Sequence, residues 1–118
     1  MSKPELFTKP LDRATLERLA HESFDDMVKF VIDIDRNVIC VGGGLHADEE
    51  SILLEEGSDQ VNLWGANYYL FDRDESRFEY TSMINVRPSD GNTAQEVQTE
   101  SIRNKIRTAA VFFFESNQ

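Results

Sequence analysis

Three consecutive glycines, Gly42 to Gly44, interrupt the stretch VICVGGGLHADEESILLEEGSDQVNLWGANYY, which runs from Val38 to Tyr69. Glycine weakens both helix and strand and permits left-handed backbone and close approach. The chain must therefore change element at this point. The pattern predicts strand, glycine turn, short acidic helix, a stop at Gly57 and a second strand. Val38 to Val41 and the strand expected over Gln60 to Phe71 carry apolar groups on both faces. A sheet holding two such inner strands needs cover on each side.

The flanking sequence supplies more sheet and helix. Leu6 and Phe7 either add a brief edge strand or tuck onto the core. From Leu11 to Phe24 the residues Leu16, Leu19, Ala20 and Phe24 fall at helical spacing, with Asp12 as N-cap. Met27 to Asp35 alternates, and Asp35-Arg36-Asn37 turns it into a hairpin with Val38 to Val41. Asp48 is the expected cap of the acidic helix, with Glu49 and Glu50 at its positive start. A second hairpin joins Gln60–Phe71 to Arg77–Arg87. Turn formers then fill Pro88 to Asn92, within the longest irregular stretch, Arg87 to Gln98. Thr99 or a neighbour caps a last helix whose apolar face holds Ile102, Ile106, Ala109, Ala110 and Phe113.

The expected fold is a single α+β domain over residues 1–118, with element order helix-strand-strand-helix-strand-strand-helix. A four-stranded, mainly antiparallel sheet from two hairpins carries the helices on one face. Val31, Cys40, Met83 and some of Trp64, Tyr69 and Phe71 then lack cover on the other. A large apolar patch is rarely left wet. A homodimer, or a partner, closing that second sheet face is therefore expected.

Charge narrows the partners. The formal net charge of −10 argues against nucleic acid, which needs clustered Lys and Arg. It argues equally against an anionic membrane surface. No apolar run is long enough for a helical span. The N-terminal residues show no signal-peptide pattern, so a cytoplasmic location is expected. The lone Cys40 lies in an apolar run and reads as an inert buried thiol.

Phosphate-loop chemistry fails on the residues. GGGLHA is not G-x-G-x-x-G, no Lys-Ser or Lys-Thr follows, and three acids occupy the helix start that a phosphate needs. There is no G-x-S-x-G elbow. His46, Asp48 and Glu49 offer a weak metal-ligand set for Mn²⁺, Fe²⁺ or Zn²⁺, to which Asp33 and Asp35 could add. Helix capping explains the same acids without metal, and no cofactor is predicted. A wider polar set is His46, Asp48, Asn62, Trp64, Asn85, Arg87, Ser89 and Asn92. Amides, an indole and a guanidinium can hold a polar ligand through directed hydrogen bonds. Alternatively, Arg87 pairs with Asp48 or Glu49 and ties the loop to the helix.

The blocks GGGLHADEE, LLEEGS, NLWG and SMINVRPSDGN resemble a family of small prokaryotic proteins catalogued as a domain of unknown function. The resemblance runs from about Asp26 to Arg107. The family pattern has an acidic residue where Gly44 stands and basic residues where Thr93-Ala94-Gln95 stand. The resemblance implies no activity and no catalytic residue. Three functional readings follow from the sequence. The first is a dimeric binding or interaction domain with a small polar ligand. The second is a metal-assisted hydrolase or transferase using His46, Asp48 and Glu49. The third is a purely structural acidic protein that binds a partner.

Overall fold

The computed structural model describes residues 3–117. Strands β1 (Glu5–Phe7), β2 (Met27–Asp33), β3 (Val38–Val41), β4 (Leu63–Tyr69) and β5 (Phe78–Glu79) form one sheet. Helices α1 (Arg13–His21), α2 (His46–Glu55) and α3 (Glu100–Glu115) pack on it. The strand order is β1-β3-β2-β4-β5, and each neighbouring pair is antiparallel. The sheet thus has five strands where four were expected. The fifth is the three-residue β1, too short for alternation to identify, which pairs Leu6 with Cys40. No helix among the described residues is long and apolar enough to cross a membrane.

Alternation decides which side chains face which layer. Phe30, Ile32, Ile39, Val41, Trp64, Ala66 and Tyr68 point to one face. There they meet Leu16 and Leu19 of α1 and Ile106, Ala110, Phe113 and Phe114 of α3. Asp12 caps α1 as expected, its Oδ1 accepting the Thr15 N–H at 2.8 Å. Val31, Val38, Cys40 and Leu63 point to the opposite face and pack with Leu53 and Ile52 of α2, and with Ile84.

This corrects the placement of all helices on one side. The glycine turn carries the chain past the end of β3, with Gly42 at φ +98°, and delivers α2 to the second face. Val31 and Cys40 are fully buried by their own chain. The apolar groups of the second face, expected to need another copy, are thus covered by α2 of the same chain. Met83 and Phe71 do remain exposed, but Cys40, Val31 and Trp64 do not.

Helix α2 also starts earlier than expected. Leu45, not Asp48, is its N-cap residue and makes no side-chain capping bond. The strand expected over Arg77–Arg87 is mostly irregular. Only Phe78 and Glu79 pair with β4, and a single bridge joins Thr81 to Glu96. Residues 83–85 then form a 3-10 turn. Side chains from this segment replace the missing strand, as described below.

Covering from within has a measurable consequence. Leu53→Ala is expected to cost about 2–5 kcal/mol, the range for truncating a fully buried leucine, in urea unfolding. A near-neutral effect would mean that α2 does not cover the sheet.

Candidate functional site

Glycines set how closely α2 and the 80s segment approach the sheet. A Cβ at Gly43 would lie 3.1 Å from Glu49 Cγ, and one at Gly65 would lie 2.7 Å from Ser82 Cβ and 3.2 Å from His46 Cδ2. His46 and Glu49 stand three residues apart on α2 and share its inner face, whereas Asp48 points away and is exposed. His46 and Glu49 are both buried.

The His46 Nε2 lies 2.8 Å from the Ala66 carbonyl oxygen. A carbonyl only accepts, so Nε2 carries the proton. Burial pulls the imidazole down to about 4, with the Lys29 charge helping and the Ala66 carbonyl, Asn67 and Glu79 opposing. The ring is therefore neutral at pH 7, with Nδ1 unprotonated. The Glu49 Oε2 accepts the Gly43 N–H at 2.9 Å, while Oε1 has no hydrogen-bond partner among the described residues. Burial pushes this carboxyl well above its ordinary value, against the Gly43 N–H and the Lys29 charge. Burial, and then the nearby Glu49, push the Cys40 thiol up, so it is a weak nucleophile at neutral pH.

Beside His46 opens a pocket of about 410 Å³, whose floor includes Lys29, Asn67, Thr81 and Ser82 and whose walls include Leu45, Met83 and Ile84. Lys29 and Asn67 face one another across the β2–β4 ladder. Asn67 Nδ2 donates to Glu79 Oε1 at 2.8 Å. That bond fixes the amide's orientation, because a flip would set oxygen against oxygen. Asn67 Oδ1 is then buried without a hydrogen bond among the described residues. Ser82 Oγ accepts from the Ile84 N–H at 3.3 Å. A larger depression of about 510 Å³ lies between α3 and the β2–β3 turn, lined by Ile34, Ala109 and Phe112 among others. It contains no buried polar side chain among the described residues, so the His46 pocket is the chemical candidate.

The rest of the expected polar set is spent on the fold. Asn85 Oδ1 accepts the Gly65 N–H and its Nδ2 donates to the Gly65 carbonyl, both at 3.0 Å. One side-chain amide thus completes the β4 edge where no strand lies alongside. The Arg87 guanidinium donates to the Gln60 and Leu63 carbonyls and stacks 3.9 Å from the Trp64 ring centroid. It pairs with neither Asp48 nor Glu49, and it does not line the His46 pocket. Asn92 Nδ2 donates to the carbonyls of Asn85, Ala94 and Glu96 at 2.9–3.0 Å, and its Oδ1 accepts from Gln98 N. Trp64 is buried in the core on the α1/α3 face. Asn62 supplies a backbone carbonyl to Ile34 N, and Ser89 is exposed on its turn.

The candidate metal ligands do not converge. His46 faces Ala66, Glu49 faces Gly43 and Asp48 faces solvent. Asp33 Oδ1 is occupied by the Asp35 and Arg36 N–H groups. Among the described residues no group of three or more His, Cys, Asp or Glu is placed to hold a metal ion. The sequence reading missed Lys29, Asn67, Thr81 and Ser82. Asn67 did leave a signal, as an amide in an otherwise apolar inner strand. Ser82 left none.

Arg87→Ala is expected to lower stability by about 2–4 kcal/mol, since it strips a buried and a part-buried carbonyl of a charged donor. Arg87→Lys should not restore it, because an ammonium cannot fork to both. Near-wild-type unfolding of Arg87→Ala would contradict the structural role.

The two shifted groups act on stability with opposite sign. His46 binds its proton more weakly folded than unfolded. Folding is therefore weakened as pH falls from 6.5 to about 4, by up to about 3 kcal/mol. Glu49 binds its proton more tightly folded, so its contribution is full below its unfolded value of 4.5 and is lost as pH rises toward its folded one. In urea unfolding at stepped pH, His46→Gln should lose the acid-side decline, and Glu49→Gln should gain on wild type as pH rises above 4.5. Parallel profiles for all three proteins would refute both assignments.

No curated protein and no solved structure is significantly similar to the chain. A family profile described as "Protein of unknown function (DUF5674)" matches residues 5–112. The match covers β1 through most of α3, and with it both faces of the sheet and the whole His46 pocket. The chain belongs to this DUF5674 family.

Proposed function

We propose that this chain is a small binding domain that takes a polar small molecule in the pocket beside His46. One observation carries the reading: hydrogen-bonding capacity left unspent at the pocket floor by three separate segments. Asn67 Oδ1 is buried with no hydrogen bond among the described residues, although the Asn67 side chain lies close enough to the His46 ring to act on it. Ser82 Oγ accepts a bond from Ile84 but donates none, and the Lys29 ammonium has no carboxylate within ion-pair distance, its neighbour being the Phe24 ring at 5.3 Å; these two statements hold among the described residues. Buried polar groups are ordinarily satisfied, as Asn92 is here. A pocket with apolar walls and a few convergent polar groups is the usual form of a ligand site.

Binding fits these groups better than catalysis does. A general base needs a pKa near the working pH, and His46 sits at about 4 with Nε2 already donating to Ala66. The hydrolase or transferase reading needs His46, Asp48 and Glu49 to meet, but Asp48 lies on the exposed side of α2, and His46 and Glu49 are each held by a different backbone group.

A thermal-shift screen of anionic, cationic and neutral polar fragments tests the proposal, since a ligand selective for the folded state raises the melting temperature. At least one fragment class is expected to raise it while moving the amide NMR signals of Lys29, His46, Asn67 and Ser82. If every class leaves those four residues unmoved at millimolar concentration, the binding proposal fails.

A further inference from the structure

The pocket's hydrogen-bonding groups also limit what can fill it. This inference rests on the binding role proposed above. Among the described residues Lys29 is the one charged residue lining the pocket. Its ammonium opposes a cationic ligand. An anion would meet only that single positive charge, because the His46 ring is neutral. Glu79 stands directly behind Asn67, within a chain of net charge −10, and so opposes an anion. No carboxylate lines the pocket, so a metal ion would find only neutral donors and an ammonium there.

What remains unspent is mixed. Asn67 Oδ1 is an acceptor, in a residue only 6% exposed. The Ser82 hydroxyl and the Lys29 ammonium are donors. Leu45, Met83 and Ile84 supply apolar contact at the walls, and Leu45 and Met83 are 61% and 70% exposed. A matching ligand is neutral and apolar on its faces, with an N–H donor beside a carbonyl acceptor on one edge. The pocket's volume, about 410 Å³, lies toward the small end of ligand sites, which begin at roughly 300 Å³.

We propose that the pocket between α2 and the Thr81–Ile84 segment binds a neutral amide-bearing ring. The N–H of its amide edge donates to Asn67 Oδ1, and its carbonyl accepts from Ser82 and Lys29. Two sources share this edge: a nucleobase, where the amide lies in the ring, and a ring carboxamide, where it hangs from it.

The full chain is titrated in ¹H–¹⁵N NMR with uracil, nicotinamide, benzoate and inorganic phosphate separately. Saturable shifts at Lys29, Asn67 and Ser82 with uracil or nicotinamide, and none with the two anions, are expected. Uracil binding without nicotinamide assigns the nucleobase source, and the converse assigns the carboxamide. Lys29→Met, a change at a partly exposed position that removes the donor, is expected to weaken that binding about fivefold, the effect of one hydrogen bond. Ser82→Ala is the second variant, and each is first checked for a wild-type spectrum. Benzoate or phosphate binding at these residues while the neutral probes fail overturns the ligand class but keeps the binding role. Neutral probes that shift only residues elsewhere, or whose affinity is unchanged in both variants, overturn the assignment. Failure of every fragment class in the broader screen overturns the binding role itself.

Discussion

Two-sided dryness of the inner strands is the constraint that the rest of the structure serves. β2, β3 and β4 send apolar side chains to both faces. Phe30, Ile32 and Ile39 need cover on one, and Val31, Cys40 and Leu63 on the other. α1 and α3 occupy the first face, leaving only α2 for the second. That helix is short and acidic and offers few apolar groups, chiefly Leu53 and Ile52. Glycine compensates for this. With no side chain at Gly43 and Gly65, α2 and the Ser82 segment can approach the backbone directly.

Close approach then dictates where the polar groups go. An α2 seated against bare backbone brings His46 and Glu49 inside, where each finds a main-chain partner and little water. Their opposite shifts have one origin: a buried site resists charge of either sign. The adjacent pocket exists because the 80s segment is not a full strand. Asn85 and Arg87 satisfy the edge of β4 with side chains, which frees the backbone of residues 81–84 to turn away from the sheet. Edge repair and pocket are two results of one interrupted strand.

Much of the layout was legible in the residues. Alternation identified β2, both faces of β3 read as apolar, Asp12 was recognisable as a cap, and the α3 face was clear from its spacing. The roles of polar residues were not. Asn85, Arg87 and Asn92 stood out as ligand candidates, yet all three bind backbone. An amide that completes a sheet edge and an amide that holds a substrate are the same residue type. The difference lies in whether a carbonyl 20 or 27 positions away has another donor. Lys29, Asn67 and Ser82 went unnoticed for the converse reason. Lys29 and Ser82 look like ordinary exposed or packed residues, and the Asn67 amide in its apolar strand has no visible role, until β2, β4 and the 80s segment are laid side by side.

Local chemistry alone determined that this chain makes a sheet with greasy inner strands, breaks at Gly42–Gly44, and places an acidic helix after the break. Those features depend on neighbours within a few residues, which sequence records directly. Only the tertiary structure decided that the acidic helix crosses to the second face and covers Val31, Cys40 and Leu63 there. That choice rests on long-range fit. The left-handed turn at Gly42 and the bare backbone of Gly65, which lie far apart in the chain, must both admit one helix, and no periodicity encodes their meeting.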